Sequence, residues 1–120
     1  MRSCLAPLAA LLLLASSALA QERTPAERQW LVDLSRILGE SHALRQVCVG
    51  PDDRFWRARM QSLLDQEAAD EALQSRLSVA FNDGYHAGQA LYPKCSDAAR
   101  AEARKIAASG EALSEKLSEP

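Results

Sequence analysis

Histidine, cysteine and the aromatic residues are scarce in this chain. Its 120 residues include two histidines, three cysteines and only two each of tryptophan, tyrosine and phenylalanine. The motif Cys-x-x-Cys-His is absent, which excludes a covalently attached c-type haem. Two histidines are poor support for a zinc site when the cysteines are better explained by a disulfide. We therefore expect no metal and no cofactor.

Motifs for catalysis and phosphate binding are also missing. The chain has no glycine-rich phosphate loop, no Gly-x-Ser-x-Gly elbow and no twelve-residue calcium loop. Nothing in the placement of its serines, histidines and aspartates indicates a catalytic triad. An enzyme would need paired titratable groups that converge in a cleft, and no spacing here suggests such a pair. We predict no catalytic residue.

No block of basic residues occurs either. The chain is mildly acidic, with a formal net charge of −2. That charge gives no electrostatic reason to expect nucleic acid or an anionic membrane surface as a partner. The apolar run from Leu5 to Ala15, interrupted only by Pro7, is shorter than the about 20 residues of a membrane span. We therefore expect no nucleic-acid partner and no stable membrane anchor.

The first twenty residues have the pattern of a secretory signal peptide. Arg2 supplies a positive charge, Leu5 to Ala15 the apolar run, and Ser16 to Ala20 a small-residue segment ending in Ala-Leu-Ala. This order predicts cleavage after Ala20 and a periplasmic or secreted product. Residues 21–120 would then form a single domain of 100 residues, a size that suits one compact fold.

Cleavage would remove Cys4 and leave Cys48 and Cys95. Two cysteines in an oxidising compartment are most simply explained as a pair. The cross-link would close a loop of about 47 residues, which the chain-entropy description values at roughly 4 kcal/mol. The alternative is a redox-active pair, but such pairs are separated by only two residues. The long spacing favours a structural disulfide.

Four segments have helical periodicity, and none has the alternation of a strand. Capping residues and prolines set the expected bounds, which are Thr24 to Cys48, Asp52 or Asp53 onward, Asp70 to Tyr92, and Ser96 to about Leu117. The tail from about Glu115 is expected to fray. Short turns between four helices predict an all-α fold, either a small four-helix bundle or an irregular helical array.

Arg45 lies at the centre of the inward face of the first helix, between Ser41 and Cys48. A guanidinium there must reach water or find a carboxylate, because burying it unpaired is costly. Glu67 and Glu102 project along the inward faces of their own helices and are the candidate partners. An ion pair is the structural interpretation, and an anion-binding arginine in a cleft is the functional alternative.

Two histidines and two glycines have positions that predict their surroundings. His42 flanks the apolar stripe of the first helix, so we expect a half-exposed side chain, and His86 lies opposite the stripe of its helix, towards solvent. Gly84 and Gly88 are four residues apart on the inward face of the third helix. Small residues at that spacing let a neighbouring helix approach closely.

Phe55 points away from the buried stripe of the second helix, with Arg59 one turn later. An aromatic residue beside an arginine on the outside can mark a partner-binding spot. More often such a side chain covers the adjacent loop, which here runs from Val49 to Pro51. Both interpretations remain open at the level of sequence.

Four short stretches carry a resemblance in their order and spacing. They are LRQVCVGPDD at 44–53, WRARM at 56–60, AFNDGY at 80–85 and YPKC at 92–95. With them the chain resembles an uncharacterised family of short exported alphaproteobacterial proteins, known only as a domain of unknown function. The resemblance spans about Trp30 to Gly110. It implies a bacterial periplasmic setting and supports the pairing of Cys48 with Cys95, and it brings no activity or cofactor.

The sequence favours one functional class over two others. The missing motifs, the mild charge and the outward Phe55 and Arg59 indicate a non-enzymatic periplasmic interaction module, whose partner would be another periplasmic protein. A small-molecule or anion-binding helical bundle that uses Arg45 is the alternative. An enzyme is the least favoured class, because no pair of reactive groups is suggested.

Overall fold

The computed structural model describes residues 23–119, so the predicted signal peptide lies outside the described residues. Four helices make up this part of the chain, and no strand occurs in it. They are α1 (Pro25–Cys48), α2 (Phe55–Glu67), α3 (Glu71–Leu91) and α4 (Asp97–Ser118). The predicted all-α fold is confirmed. None of these helices is both long enough and apolar enough to cross a membrane.

Side-chain caps explain where three of the helices begin. Thr24 accepts a hydrogen bond from the backbone N–H of Glu27, and the Glu27 carboxylate accepts one from the backbone N–H of Thr24. This reciprocal capping box satisfies two donors that the first turn of a helix leaves free. Asp70 and Ser96 cap α3 and α4 by accepting the backbone N–H three residues further on. These starts agree with the sequence prediction.

α2 begins later than predicted, at Phe55 rather than at Asp52 or Asp53. Arg54 occupies the N-cap and makes no side-chain capping bond. The Asp53 carboxylate accepts a hydrogen bond from the backbone N–H of Phe55 at 3.2 Å, and it also binds Arg45 from α1. The aspartate therefore stabilises the turn before the helix instead of its first turn.

α4 ends at Ser118, one residue beyond the predicted end near Leu117. The last turn, where fraying was expected from about Glu115, is helical in the structure. Leu117 is buried, with 7% of its surface exposed, and its carbonyl accepts a hydrogen bond from Arg23 at 2.7 Å. Packing and this hydrogen bond hold the last turn in place.

α1 is the central helix and packs against the other three, while α2 also touches α3. The main core lies along α1 and consists of buried apolar residues, namely Leu31, Leu34, Leu38, Met60, Leu73, Leu77, Phe81 and Leu117. A smaller cluster towards the end of α1 joins Leu44 to Ala99 and Ile106 of α4. α1 therefore supplies residues to both clusters. Burial of each large apolar side chain contributes about 1.5–3 kcal/mol to stability.

α1 and α3 approach so closely that their backbones touch at two glycines. A Cβ atom at Gly84 would overlap the carbonyl oxygen of Arg36, and one at Gly39 would overlap the carbonyl oxygen of Phe81. A Cβ atom at Gly88 would lie 2.8 Å from a side chain of α1, which is also too close. The predicted close packing at Gly84 and Gly88 is confirmed, and Gly39 is its unpredicted counterpart on α1.

Cys48 and Cys95 form the predicted disulfide, with their Cα atoms 4.8 Å apart. The bond joins the last residue of α1 to the turn before α4. It therefore holds one end of the central helix against the start of α4, next to the smaller apolar cluster.

Candidate functional site

Arg45 pairs with neither of the predicted carboxylates. Its Nε donates to both carboxylate oxygens of Asp53, at 2.9 and 2.8 Å, and its guanidinium carbon lies 4.8 Å from the ring centroid of Phe55. The prediction of Glu67 or Glu102 as its partner was wrong. The side chain is 40% exposed, so Arg45 lies in a half-exposed ion pair at the turn between α1 and α2.

Glu67 is bound by Arg23, which precedes the first helix. Arg23 Nη2 lies 2.8 Å from one Glu67 carboxylate oxygen and Nε lies 3.2 Å from the other. Arg23 Nη1 donates to the Glu27 carboxylate at 3.1 Å and to the carbonyl oxygen of Leu117 at 2.7 Å. The hydrogen bond to Glu67 raises the pKa of Arg23, although burial acts in the opposite direction. Arg23 thus links the start of α1 to the ends of α2 and α4.

An open groove of about 890 Å³ runs between α2 and α4, with α1 as its floor. The floor and the α2 wall contain large apolar side chains, which are Leu34, Ile37, Leu38, Phe55, Trp56 and Leu63. The α4 wall consists largely of small residues, among them Ala107, Ala108, Gly110 and Ser114. A second cavity of about 860 Å³ shares Leu34, Leu63, Gln66 and Ser114 with the groove and continues it towards Arg23.

Phe55 and Arg59, the two residues predicted as a candidate interaction spot, both line this groove. Phe55 is 41% exposed, and its ring meets the Trp56 ring edge-on with 5.0 Å between centroids. The Arg59 guanidinium carbon lies 4.5 Å from the Phe55 centroid and 5.8 Å from that of Trp56, distances at which a cation is attracted to a ring face. The aromatic pair therefore holds Arg59 on the α2 wall.

Arg104 lies on the opposite wall, which belongs to α4. Among the residues that the structure describes, neither Arg104 nor Arg59 forms a salt bridge or a side-chain hydrogen bond. Both side chains are exposed. The groove therefore has one unneutralised arginine on each side of an apolar floor.

Ser41 in the floor of the groove has an unsatisfied hydroxyl group. The residue is 3% exposed, and its Oγ has no hydrogen-bond partner within the described chain. A helical serine can donate to the carbonyl four residues earlier, as Ser35 does with Leu31 at 2.8 Å. A buried polar group without a partner costs about 1–3 kcal/mol, so this hydroxyl is a small local cost to stability.

A smaller and more polar pocket of about 390 Å³ lies among α1, α2 and α3. It is bordered by His42, whose side chain was expected to be half-exposed but is only 3% exposed. The His42 ring stacks against Tyr85, with centroids 5.1 Å apart, and lies 5.8 Å from the Phe81 ring. Burial lowers the pKa of His42, and the nearby charge of Arg57 lowers it further. His86, on the rim, is exposed as expected.

Several of these residues were missed from the sequence. Arg23 was overlooked because it precedes the first helix, Arg57 because it lies off the buried stripe of α2, and Arg104 because it flanks the weakest stripe. One signal was available for Arg104. The face of α4 next to Arg104 consists of alanine and glycine. Such small side chains cannot fill the distance to a neighbouring helix, so a groove lined by the arginine can be expected there.

The fold and the groove together define a small helical domain that is closed by a disulfide and has an open, arginine-flanked surface. The chain belongs to the family described as "Protein of unknown function (DUF2385)", whose sequence profile matches residues 25–120. The resemblance to a domain of unknown function is thereby confirmed. No curated protein and no solved structure matches the chain. Within residues 23–119, no three His, Cys, Asp or Glu side chains are grouped so that they could hold a metal ion.

Proposed function

We propose that this protein is exported and acts outside the cytoplasm as a small interaction module, which binds an amphipathic helix of a partner protein between α2 and α4. The supporting observation is the groove itself, with its apolar floor, its small-residue wall and its two opposed arginines. Laying the apolar face of a helix into a hydrophobic groove is a recurrent mode of recognition.

The dimensions of the groove suit a helix. The α2 wall has 13 residues, which correspond to about 20 Å and so to three or four turns of a helix laid along it. Ala107 and Ala108 on the α4 wall allow a partner backbone to approach closely, as small residues do between packed helices.

The charges of the walls specify the partner further. Arg59 and Arg104 would pair with acidic residues that flank the apolar face of the bound helix on its two sides. Glu111 follows Arg104 by two turns on the same wall, so a basic residue of the partner fits there. Such complementarity sets the register and the association rate more than the affinity.

Export is supported by the signal pattern in residues 1–20 and by the disulfide, because such bonds persist mainly in oxidising compartments. Mass spectrometry of the protein from a periplasmic extract should show a chain that begins at Gln21. A product that retains Met1 and remains in the cytoplasm would contradict the proposal.

Cross-linking tests the groove directly. A photo-reactive amino acid at Ser62 would lie at the groove, and the same residue at Ser109 provides a matched control. Both serines are exposed and donate to the carbonyl four residues earlier, at 3.2 Å in each case, but Ser109 does not line the groove. We expect Ser62 alone to cross-link to one segment of one partner, and that segment to be an apolar helix with acidic flanks.

A peptide copied from the cross-linked segment would then measure the contribution of charge. Arg59→Glu and Arg104→Glu should each weaken its binding by roughly tenfold, which corresponds to about 1.4 kcal/mol. Arg100→Glu should leave binding unchanged, because Arg100 lies one turn before Arg104 and, within residues 23–119, pairs only with Asp97. Equal labelling from Ser62 and Ser109, a second copy of this chain, a lipid, or a segment without helical character would each overturn the proposal.

The alternative prediction, a bundle that binds an anion through Arg45, has less support. The Nε group of Arg45 already donates to both oxygens of Asp53. An anion at that place would have to compete with a carboxylate fixed eight residues away in the same chain.

A further inference from the structure

His42 has an arrangement that is uncommon in a folded core. Its side chain is almost fully buried, and Nδ1 has no hydrogen-bond partner among residues 23–119. Native proteins contain few buried polar atoms without a partner, and each such atom calls for an explanation such as a missing water or ligand. The residue borders the pocket among α1, α2 and α3, while Nδ1 itself is buried.

The pocket is lined by both aromatic and polar side chains. Phe81, His42 and Tyr85 follow one another along the α1–α3 side, with adjacent centroids 5.8 and 5.1 Å apart. The Tyr85 hydroxyl is already engaged, because it donates to Gln46 at 2.5 Å and accepts from Gln89 at 3.0 Å. The hydroxyl is therefore not free to bind a ligand, and of the three aromatic residues only Tyr85 is partly exposed. A volume of about 390 Å³ is within the range of small-molecule sites, about 300–1,000 Å³.

The charge around the pocket is positive on balance. Arg57 lines it from α2 and forms no salt bridge or hydrogen bond with another described residue. The charged and titratable groups that face His42 are Asp53, Arg54 and Arg57 from the α2 side and Tyr85 and His86 from α3. Two arginines thus oppose one aspartate, and that aspartate is neutralised by Arg45. Asn82 adds an amide at the rim that has no hydrogen-bond partner in the described part of the chain.

We infer that this pocket is a second binding site, independent of the groove, for a small organic oxyanion that carries a planar apolar group. The oxyanion, a carboxylate or a phosphate ester, lies against Arg57, whose planar guanidinium suits two-point pairing with either group. The planar part lies against the partly exposed ring of Tyr85, beside His42. Asn82 and His86 at the rim donate further hydrogen bonds.

Occupation of the site couples to the protonation of His42. In the unliganded pocket, burial and Arg57 lower the pKa of His42 and keep the ring neutral. A bound anion neutralises Arg57 and adds a negative charge beside the ring, so it favours the imidazolium. Binding is therefore accompanied by proton uptake at pH values between the pKa of His42 in the free protein and its higher pKa in the complex, which a purely packed histidine would not show.

Two aromatic probes and two controls test the inference on the purified protein. Benzoate and phenyl phosphate represent the two sources of an oxyanion, while acetate lacks the planar group and benzamide lacks the charge. We expect benzoate, phenyl phosphate or both to raise the melting temperature at millimolar concentration by mass action. The same probe should raise the pKa of His42 in an NMR titration, and the relative response identifies a carboxylate or a phosphate site.

Arg57→Gln should weaken binding of the active probe by roughly tenfold and remove the rise in the pKa of His42. Arg76→Gln provides the matched control, because Arg76 is an exposed arginine on α3 that does not line the pocket. Arg104→Glu should also leave this response intact, which separates the pocket from the groove. Equal responses to acetate or benzamide, a response retained in Arg57→Gln, or no response to either aromatic anion would each overturn the inference.

Discussion

Arg23 joins three helix ends through one guanidinium. Its partner Glu67 is 4% exposed, and removal of one member of a buried pair leaves the other charge uncompensated. The hydrogen bond to the carbonyl of Leu117 adds a contact with α4. The contribution of Arg23 to stability should therefore exceed that of an ordinary surface ion pair.

Arg23→Ala should lower the free energy of unfolding by about 3–5 kcal/mol, because Glu67 would remain buried without its cation. Urea denaturation of the purified protein measures this difference. Arg28→Ala is the matched control. Arg28 pairs with Asp70 at 2.8 Å, but the two side chains are 30% and 48% exposed, and exposed pairs contribute only about 0–1 kcal/mol. Equal effects of the two substitutions would show that Glu67 does not depend on Arg23.

His42 should make stability depend on pH. Its pKa in the folded protein is below the ordinary value because of burial and Arg57, so the unfolded chain binds a proton more readily. The free energy of unfolding should therefore fall as the pH decreases below about 6.5, the unperturbed pKa of histidine. His42→Phe should reduce this slope, whereas His86→Phe, at an exposed position, should retain it. An unchanged slope in His42→Phe would contradict the assignment.

The partner of Arg45 and the exposure of His42 were not predicted correctly from the sequence. Helical periodicity placed Arg45 on the inward face, but the turn after α1 brings Asp53 back to it, and periodicity contains no information about turns. His42 flanks the stripe as predicted, yet α3 approaches α1 so closely at Gly39 and Gly84 that the flank itself is buried. Both errors arise from tertiary packing that a single helix does not reveal.

The contact between α1 and α3 depends on glycine at both sides. A Cβ atom at Gly84 would overlap the backbone carbonyl of Arg36, and a backbone atom can be relieved only by moving a whole helix. Gly84→Ala should therefore lower the free energy of unfolding by about 1–3 kcal/mol or more, as overpacking does. Thermal or urea unfolding measures the loss.

Gly110→Ala is the control for that substitution. The added Cβ atom would meet only side-chain atoms of Ile37 and Leu34, at 3.1 and 3.7 Å, and side chains can adjust. Alanine also favours a helix interior over glycine by about 1 kcal/mol. We expect a change near zero in this variant, and a comparable loss at positions 84 and 110 would contradict the close-contact explanation.

The helices themselves were largely predictable. Caps and prolines defined the starts of α1, α3 and α4, because these signals act within a few residues of the chain. The groove was not predictable, because it depends on the distance between α2 and α4, which pack on α1 side by side. Phe55 and Arg59 were selected for facing outward, but only the fold places them opposite Arg104.

The disulfide acts on the stability of the whole molecule. It links residues 47 apart, and such cross-links typically contribute about 2–4 kcal/mol by restricting the unfolded chain. Replacing both Cys48 and Cys95 by serine should lower the free energy of unfolding by that amount. A reducing agent should destabilise the natural protein and leave the double variant unaffected. A free thiol that reacts in the natural protein would instead indicate redox chemistry.

The contact between Arg23 and the carbonyl of Leu117 also shows that the chain could be circularly permuted. The backbone entering α1 and the backbone leaving α4 lie within the reach of one arginine side chain, at the end of α1 opposite the disulfide. A short glycine-rich linker could join them and close the domain into a ring. Opening that ring between α2 and α3, near Ala69, would give a circular permutant with the same helices, the same disulfide and new termini.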